Sequence, residues 1–339
     1  MAPSGTVVSD GLGARMVPAD LFVCDIAEAL PKDDMATMEH PVFSLSTRPD
    51  RRVLSYAHGP ARIEITPSVK GLATIHDKDV LIYCISQLMA ALNAERPVAR
   101  RLELVAHDLL LACGRETSGD AYRRLREAFE RLAGTRIVTT IPTGPAEDPI
   151  ETTTGFGLIE GWEIVRRTRS GRMVSVTVTL SDWLYRAVLA KSVLTLSPEY
   201  FGLRKPLERR VYELARKHCG RQPRWRIGMA TLHLKSGSAS PVRVFRKMIR
   251  DMVAADALPD YHLALEGDVL EVRPRRAVLA PGEGPRLTEA DREAARAAAP
   301  GWDVHSLEAD WRTYWAASGK PRLRAPGRAF VAYCTKRTQ

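Results

Sequence analysis

The sequence predicts an α+β fold in which one small unit occurs twice, and three observations carry that expectation. First, two helical stretches share an apolar stripe of one spacing. In "SGDAYRRLREAFERLAGTRIVTTI" (118–141) the stripe is Tyr122, Leu125, Phe129 and Leu132; in "SPVRVFRKMIRDMVA" (240–254) it is Val242, Phe245, Ile249 and Met252, each 120 positions further on. Residues three and four apart share a helix face, so both stretches read as amphipathic helices. Second, the segments just upstream correspond: "RLELVAHDLLLACG" (101–114) aligns with "RWRIGMATLHLKSG" (224–237) at an offset of 123, placing Leu104 on Ile227, Leu109 on Leu232 and Gly114 on Gly237. Third, each basic helix is followed by period-two alternation around a glycine turn. Short helix, glycine turn, second helix and hairpin make a helix-turn-helix with a wing. The expected fold is therefore two tandem winged-helix domains (helix-turn-helix plus β-hairpin) with a small C-terminal helical module.

Along the chain, residues 1–38 lack sustained periodicity and are expected to be a flexible N-terminal segment. The first domain, 39–195, opens with "PVFSLSTRPDRRVLSYAHGPARIEITPS" (41–68), which alternates like two or three strands between Asp, Gly and Pro turns. An amphipathic helix over 77–93 precedes the first copy of the repeat. Behind the basic helix come "RIVTTIPT" (136–143), a polar stretch, and a hairpin within 155–180 that turns at Ser170-Gly171. The second domain, 196–276, begins with the helix "KPLERRVYELARKHCG" (205–220) and ends with "YHLALEGDVLEVRPRR" (261–276), two alternating runs around Glu266-Gly267-Asp268. Ser240 is placed to cap its basic helix, and Pro241 suits the first turn. Residues 277–286 are proline- and glycine-rich and form a linker. The C-terminal module, 287–339, starts at a capping box of Thr288 and Asp291 and adds helices over 303–318 and 326–336, with Trp311, Trp315, Phe330 and Tyr333 as core.

Formal net charge is +10, with 27% charged and 45% hydrophobic residues, and the pI is about 9.5. Such a chain is globular and prefers polyanions. It has no apolar run long enough for a membrane span and no basic-then-apolar N-terminus, which points to the cytoplasm. Cys24, Cys84, Cys113, Cys219 and Cys334 are scattered and never form a CxxC pair, so packed thiols are expected, with no metal and no cofactor. Cations concentrate where duplex DNA would be met. In the second basic helix, which Ser240 opens, Arg243, Arg246, Lys247 and Arg250 oppose the apolar stripe, and only Asp251 offsets them. In the first, Arg123 faces Glu127, Arg126 faces Glu130 and Glu127 faces Arg131, which leaves Ser118, Arg123 and Arg124 at the N-terminal end to reach base edges. Arginine can grip guanine through O6 and N7, so the second helix is the stronger reader. Arg166, Arg167, Arg169 and Arg172 surround the first hairpin turn, and Arg273, Arg275 and Arg276 flank the second hairpin. Arg204, Lys205, Arg209, Arg210, Arg216 and Lys217 crowd the helix between the repeats. These clusters read as phosphate contacts, which fix register without reading sequence.

Longer motifs add a resemblance. "MEHPVFSLSTRPD" (38–50), "ITPSVKGLATIHDKDVLIYCISQL" (65–88) and the 205–220 helix resemble the replication initiator protein A family of alphaproteobacterial plasmids, and "APGRAFVAYCTKR" (325–337) recurs in such initiators. The resemblance implies a protein that binds the double-stranded origin DNA of its own plasmid and starts replication with the host initiator and the replicative helicase. It also admits a homodimer. It supplies no base-contacting residues, so those named above rest on helical geometry. A winged-helix transcriptional regulator or autorepressor without an initiation role competes for the same features. No enzyme is expected. Gly319-Lys320 is followed by Pro321, so no phosphate-binding loop forms, and the eight histidines are dispersed, whereas a nicking enzyme needs them clustered beside a tyrosine.

Overall fold

The computed structural model describes residues 6–8, 15–17, 20–26, 29–58, 61–143, 150–166, 173–220, 222–275, 284–299, 302–318 and 322–337. β1 (Thr6–Val8) pairs with β2 (Arg15–Val17), and β3 (Leu21–Val23) and β4 (Lys32–Asp34) lead into the short helix α1 (Met35–Glu39). The hairpin β5 (Leu54–His58) and β6 (Ala61–Thr66) precedes α2 (Lys78–Asn93). The first copy of the repeat is β7 (Arg101–Leu104), α3 (Ala106–Ala112), α4 (Gly119–Gly134), β8 (Arg136–Thr143), β9 (Ile150–Gly157), β10 (Ile159–Arg166) and β11 (Met173–Leu180). After α5 (Asp182–Leu189) and β12 (Val193–Thr195), α6 (Pro206–Cys219) introduces the second copy: β13 (Trp225–Gly228), α7 (Met229–Ser236), α8 (Val242–Ala254), β14 (Tyr261–Glu266) and β15 (Val269–Pro274). Three helices follow, α9 (Glu289–Ala298), α10 (Val304–Ala317) and α11 (Pro326–Arg337). The fold is mixed α+β. By contacts the chain divides into two compact units, Met1–Asp25, Val42–Cys84 and Pro97–Ser192 in one, and Ile26–Pro41, Ile85–Arg96 and Val193–Gln339 in the other. Among the described residues no helix is long and apolar enough to cross a membrane, and all five cysteines are buried and outside any disulfide.

The two copies share their construction. In the second unit β13 lies antiparallel to β15, which closes a hairpin with β14; in the first, β7 lies antiparallel to β11, which closes a hairpin with β10. The aligned glycines follow the short helix in each copy with left-handed backbone, Gly114 at φ 61° and Gly237 at φ 68°. A Cβ penalises that conformation, so glycine is required there. The aligned apolar residues Leu104, Leu109, Ile227 and Leu232 are all buried. The strand that opens each copy was not expected, because four residues are too few to show alternation. The first copy also carries an insertion: β8 and β9 form a hairpin between α4 and β10 and join a separate sheet of order β5-β6-β8-β9. Of the stripe residues, Leu125, Phe129, Leu132, Phe245, Ile249 and Met252 are buried, while Val242 is 40% exposed and Tyr122 is half-buried beside His107.

The segment expected to be flexible up to residue 38 departs from that expectation. β3 adds in parallel to β7, and β4 pairs antiparallel with β12, which groups Ile26–Pro41 with the second unit. Its polar composition hid this. Lys32, Asp33 and Asp34 are buried: Lys32 Nζ donates to Thr195 Oγ1 (2.6 Å) and pairs with Asp303 (2.5 Å), and the Asp34 carboxylate caps α1 by accepting from the Ala36 and Thr37 amides. Most of the linker 277–286 lies outside the described residues. Beyond it α9, α10 and α11 enclose a core that includes Ala295, Leu307, Trp311 and Phe330, and the Thr288–Asp291 capping box is formed.

The cations of α6 depart most from the sequence reading. Arg209 and Arg210, expected on the surface, are 3% and 2% exposed. Arg209 lies over the Tyr200 ring and donates to the Leu203 carbonyl (2.7 Å). Arg210 pairs with Glu213 (3.1 Å) and donates to the carbonyls of Thr37, Met38 and Glu39 at the end of α1 and of Lys235 at the end of α7. Arg216 donates to the Thr195 carbonyl (2.6 Å) and Lys217 to that of Met35 (2.9 Å). The last carbonyls of a helix have no partner within it. These cations satisfy main-chain acceptors and are withdrawn from any phosphate. Lys217 and Lys235 also meet the Glu39 carboxylate. Burial alone would raise Glu39, but the hydrogen bonds from Lys235 and Lys217 outweigh it and hold the group at about 2.

Two outcomes are expected. Arg210→Ala should cost about 3–5 kcal/mol in urea denaturation, the loss seen when a buried ion pair is broken by removing one partner, whereas Arg204→Ala on the exposed surface should stay within about 0.5 kcal/mol. Because Glu39 stays ionised below its ordinary value of 4.5, its stabilisation is present at neutral pH and is lost as pH falls from 4.5 toward about 2. Urea midpoints measured across that acid range should therefore vary less in Glu39→Gln than in the parent.

Candidate nucleic-acid interface

α8 is seated by Phe245, Ile249 and Met252, all buried. His233 of α7 packs edge-on against Phe245, with ring centroids 4.8 Å apart, and its Nε2 donates to the Ser240 carbonyl (2.8 Å). The glycine turn is thereby fixed at both ends. Pro241, not Ser240, occupies the N-cap position, and no side chain caps the helix. Ser240 therefore shapes the turn through its main chain, which corrects its expected capping role.

At 100° per residue, the direction opposite the buried stripe belongs to Arg243, Lys247 and Arg250. All three are exposed. Lys247 pairs with Asp251 (2.8 Å), and Arg243 and Arg250 have no ion-pair partner among the described residues. Arg246 leans instead to the hairpin. Its Nε and Nη2 donate to the two carboxylate oxygens of Asp268 at 2.9 and 2.8 Å, which fastens the turn between β14 and β15 to the helix. This two-pronged contact is the strong form of an arginine–carboxylate bond. It raises Arg246 and holds Asp268 below the usual carboxylate range. Nothing local to α8 marks Asp268 as a partner, since it lies 22 residues from Arg246, in the turn of the hairpin.

α4 is electrostatically different. Ser118 caps it by accepting from the Ala121 amide (3.4 Å), so this hydroxyl is engaged in the helix start. Arg123 is held by Asp120 and by Glu127 (2.7 Å), Arg124 by Asp120 (2.7 Å) and Arg126 by Glu130 (3.3 Å). Asp120 is the acid that the sequence reading overlooked, one turn ahead of both arginines. Arg131 bonds Asp77 through two contacts of 2.7 Å rather than facing Glu127. The basic end of α4 is thus internally neutralised, whereas that of α8 is only partly so.

The hairpin cations fall into two groups. Arg167, Arg169 and Arg172, the Arg166 side chain, and Arg276 lie outside the described residues. Arg273 donates to Glu271 (2.5 Å), and Arg275 to the Leu258 carbonyl (3.0 Å) and to Asp256 (2.7 Å). Both bond within the unit, while the Arg273 side chain stays 60% exposed.

Comparison with known proteins bears on this geometry. Residues 32–263 match the family described as Replication initiator protein A. A proposed replication protein of Wigglesworthia glossinidia brevipalpis is 36% identical over 234 residues, which cover 68% of this chain and 84% of that one. Among solved structures, domains 2 and 3 of RctB superpose with a TM-score of 0.53 at 14% identity, covering 71% of this chain and 98% of that one; the likeness is one of fold.

In electrophoretic titrations, Arg243→Ala should cost about 1–3 kcal/mol on a specific duplex and relax preference at one or two base pairs. Asp268→Asn should release Arg246 and steepen the dependence of log affinity on log salt by about 1 on random duplex. Unchanged discrimination in Arg243→Ala would make α8 an ordinary solvated helix.

Proposed function

The chain belongs to the replication initiator protein A family, and from that premise we propose that it initiates plasmid replication by binding double-stranded origin DNA in a sequence-specific way. The observation that carries this reading is the outward face of α8, where Arg243, Lys247 and Arg250 stand opposite the core stripe beside a hairpin bonded to the same helix. A major groove admits one α-helix, and arginine recognises guanine there through two hydrogen bonds. We read both copies as winged helices, with α3–α4 and α7–α8 as the helix pairs and the β10–β11 and β14–β15 hairpins as wings. Strand, short helix, glycine turn, helix and hairpin in that order support the reading. α8 is the principal reader, and α4, whose arginines are already paired, contributes positioning.

In this reading the protein has no catalytic step and no cofactor, acts in the cytoplasm, and hands the opened origin to the host initiator and replicative helicase. A homodimer would suit an origin with repeated sites. Supplying the chain in trans to the parent plasmid's origin on a suicide vector tests the proposal. Replicating transformants are expected, and combined replacement of Arg243, Lys247 and Arg250 by alanine should lower their number by about 100-fold or more. Repression of a promoter in that fragment without any rescue would instead identify a transcriptional regulator.

A further inference from the structure

The outward face of α8 is not uniformly basic. Val244 and Met248, four residues apart on one flank, are 42% and 38% exposed, Val242 at the helix start is 40% exposed, and Leu234 on the neighbouring α7 is 62% exposed. Large apolar side chains are rarely left in water side by side without a partner. The other flank is occupied by Arg246 and its hairpin carboxylate, and the centre by Arg243, Lys247 and Arg250. Packing within the repeat does not demand an apolar residue at Val244, because the aligned position in α4 holds the exposed Arg124.

We infer that Val244 and Met248 contact the C5 methyl groups of thymines in the duplex that α8 enters, so that the recognised site places thymine beside the base pair met by Arg243. The inference rests on the reading of α8 as a major-groove helix. The occupant follows from charge. A second copy of this chain docked face to face would set Arg243 and Arg250 against their own counterparts, with only Asp251 to compensate. A duplex supplies the opposite charge along the whole face. Within a major groove the thymine methyl is the apolar group on the base edge, and its contact with an aliphatic side chain distinguishes T·A from the other pairs. Val242, nearer the groove wall at the first turn, is left to the sugar–phosphate edge.

The probe is the duplex that the full chain selects from a randomised pool, followed by the same duplex with each thymine replaced singly by deoxyuridine, which removes only the methyl. The parent protein should lose about 3- to 10-fold in affinity at one or two positions, the scale of one buried methyl group. Val244→Ala and Met248→Ala should each abolish the loss at one of those positions while binding random duplex as the parent does, which also shows that they fold. Insensitivity of the parent to every replacement would overturn the inference, as would a sensitivity that survives both substitutions. A shift from dimer to monomer in sedimentation of Val244→Ala, with uridine sensitivity unchanged, would assign the flank to a contact between copies and equally overturn it. Failure to select any sequence would count against the DNA-reading function itself, and so is distinguishable from failure of the thymine contact.

Discussion

The second unit is organised around a buried guanidinium. Arg210 has Glu213 as its counter-charge and the carbonyls of Thr37, Met38, Glu39 and Lys235 as acceptors. A charge taken out of water needs such partners, and the ends of α1 and α7 need donors. One side chain meets both needs. Because α7 continues through Gly237 into α8, the aim of the exposed helix depends on where Arg210 holds α7. Two residues further along α6, Tyr212 donates to Asp260 (2.5 Å) and accepts from the Ser197 amide (2.8 Å), which ties the start of the hairpin to the same helix.

The positive charge of the chain divides by surroundings rather than by number. Arg209, Arg210 and Arg216 serve main-chain carbonyls; Arg123, Arg124, Arg126 and Arg131 serve nearby acids. On the outward side of α8, Arg243 and Arg250 have no such partners among the described residues. The electropositive face of α8 is therefore left exposed where the cations of α4 and α6 have been engaged by folding. Net charge is a property of the whole chain, and the fold decides where that charge is displayed.

This division explains what could be read from the sequence. The repeat was legible because helix spacing and a left-handed glycine are local properties, and both survive in Gly114 and Gly237. The buried stripes of α4 and α8 were legible for the same reason, apart from their first turns. The roles of Arg209 and Arg210 were not, since a helix with basic residues on every side looks the same whether it faces water or the carbonyls of another segment. Asp268 and Asp77 were missed as partners because their contacts join residues 22 and 54 positions apart. The insertion of β8 and β9 was invisible as an insertion: most of β9 lies in the stretch that reads as merely polar, and only the pairing of β7 with β11 separates the inserted strands from the hairpin that follows.

The buried arm Lys32–Asp34 has a consequence for synthesis. Lys32 meets Thr195, 163 residues later, and Asp303, 271 residues later. At roughly 5–20 residues per second on the ribosome, the first of these partners arrives about 8–33 s after Lys32 is made. An apolar edge strand left waiting that long would invite wrong pairing. A strand of one lysine and two aspartates stays hydrated until its partners emerge. The composition that makes this arm look like a loose tail thus keeps it soluble until the chain that buries it has been made.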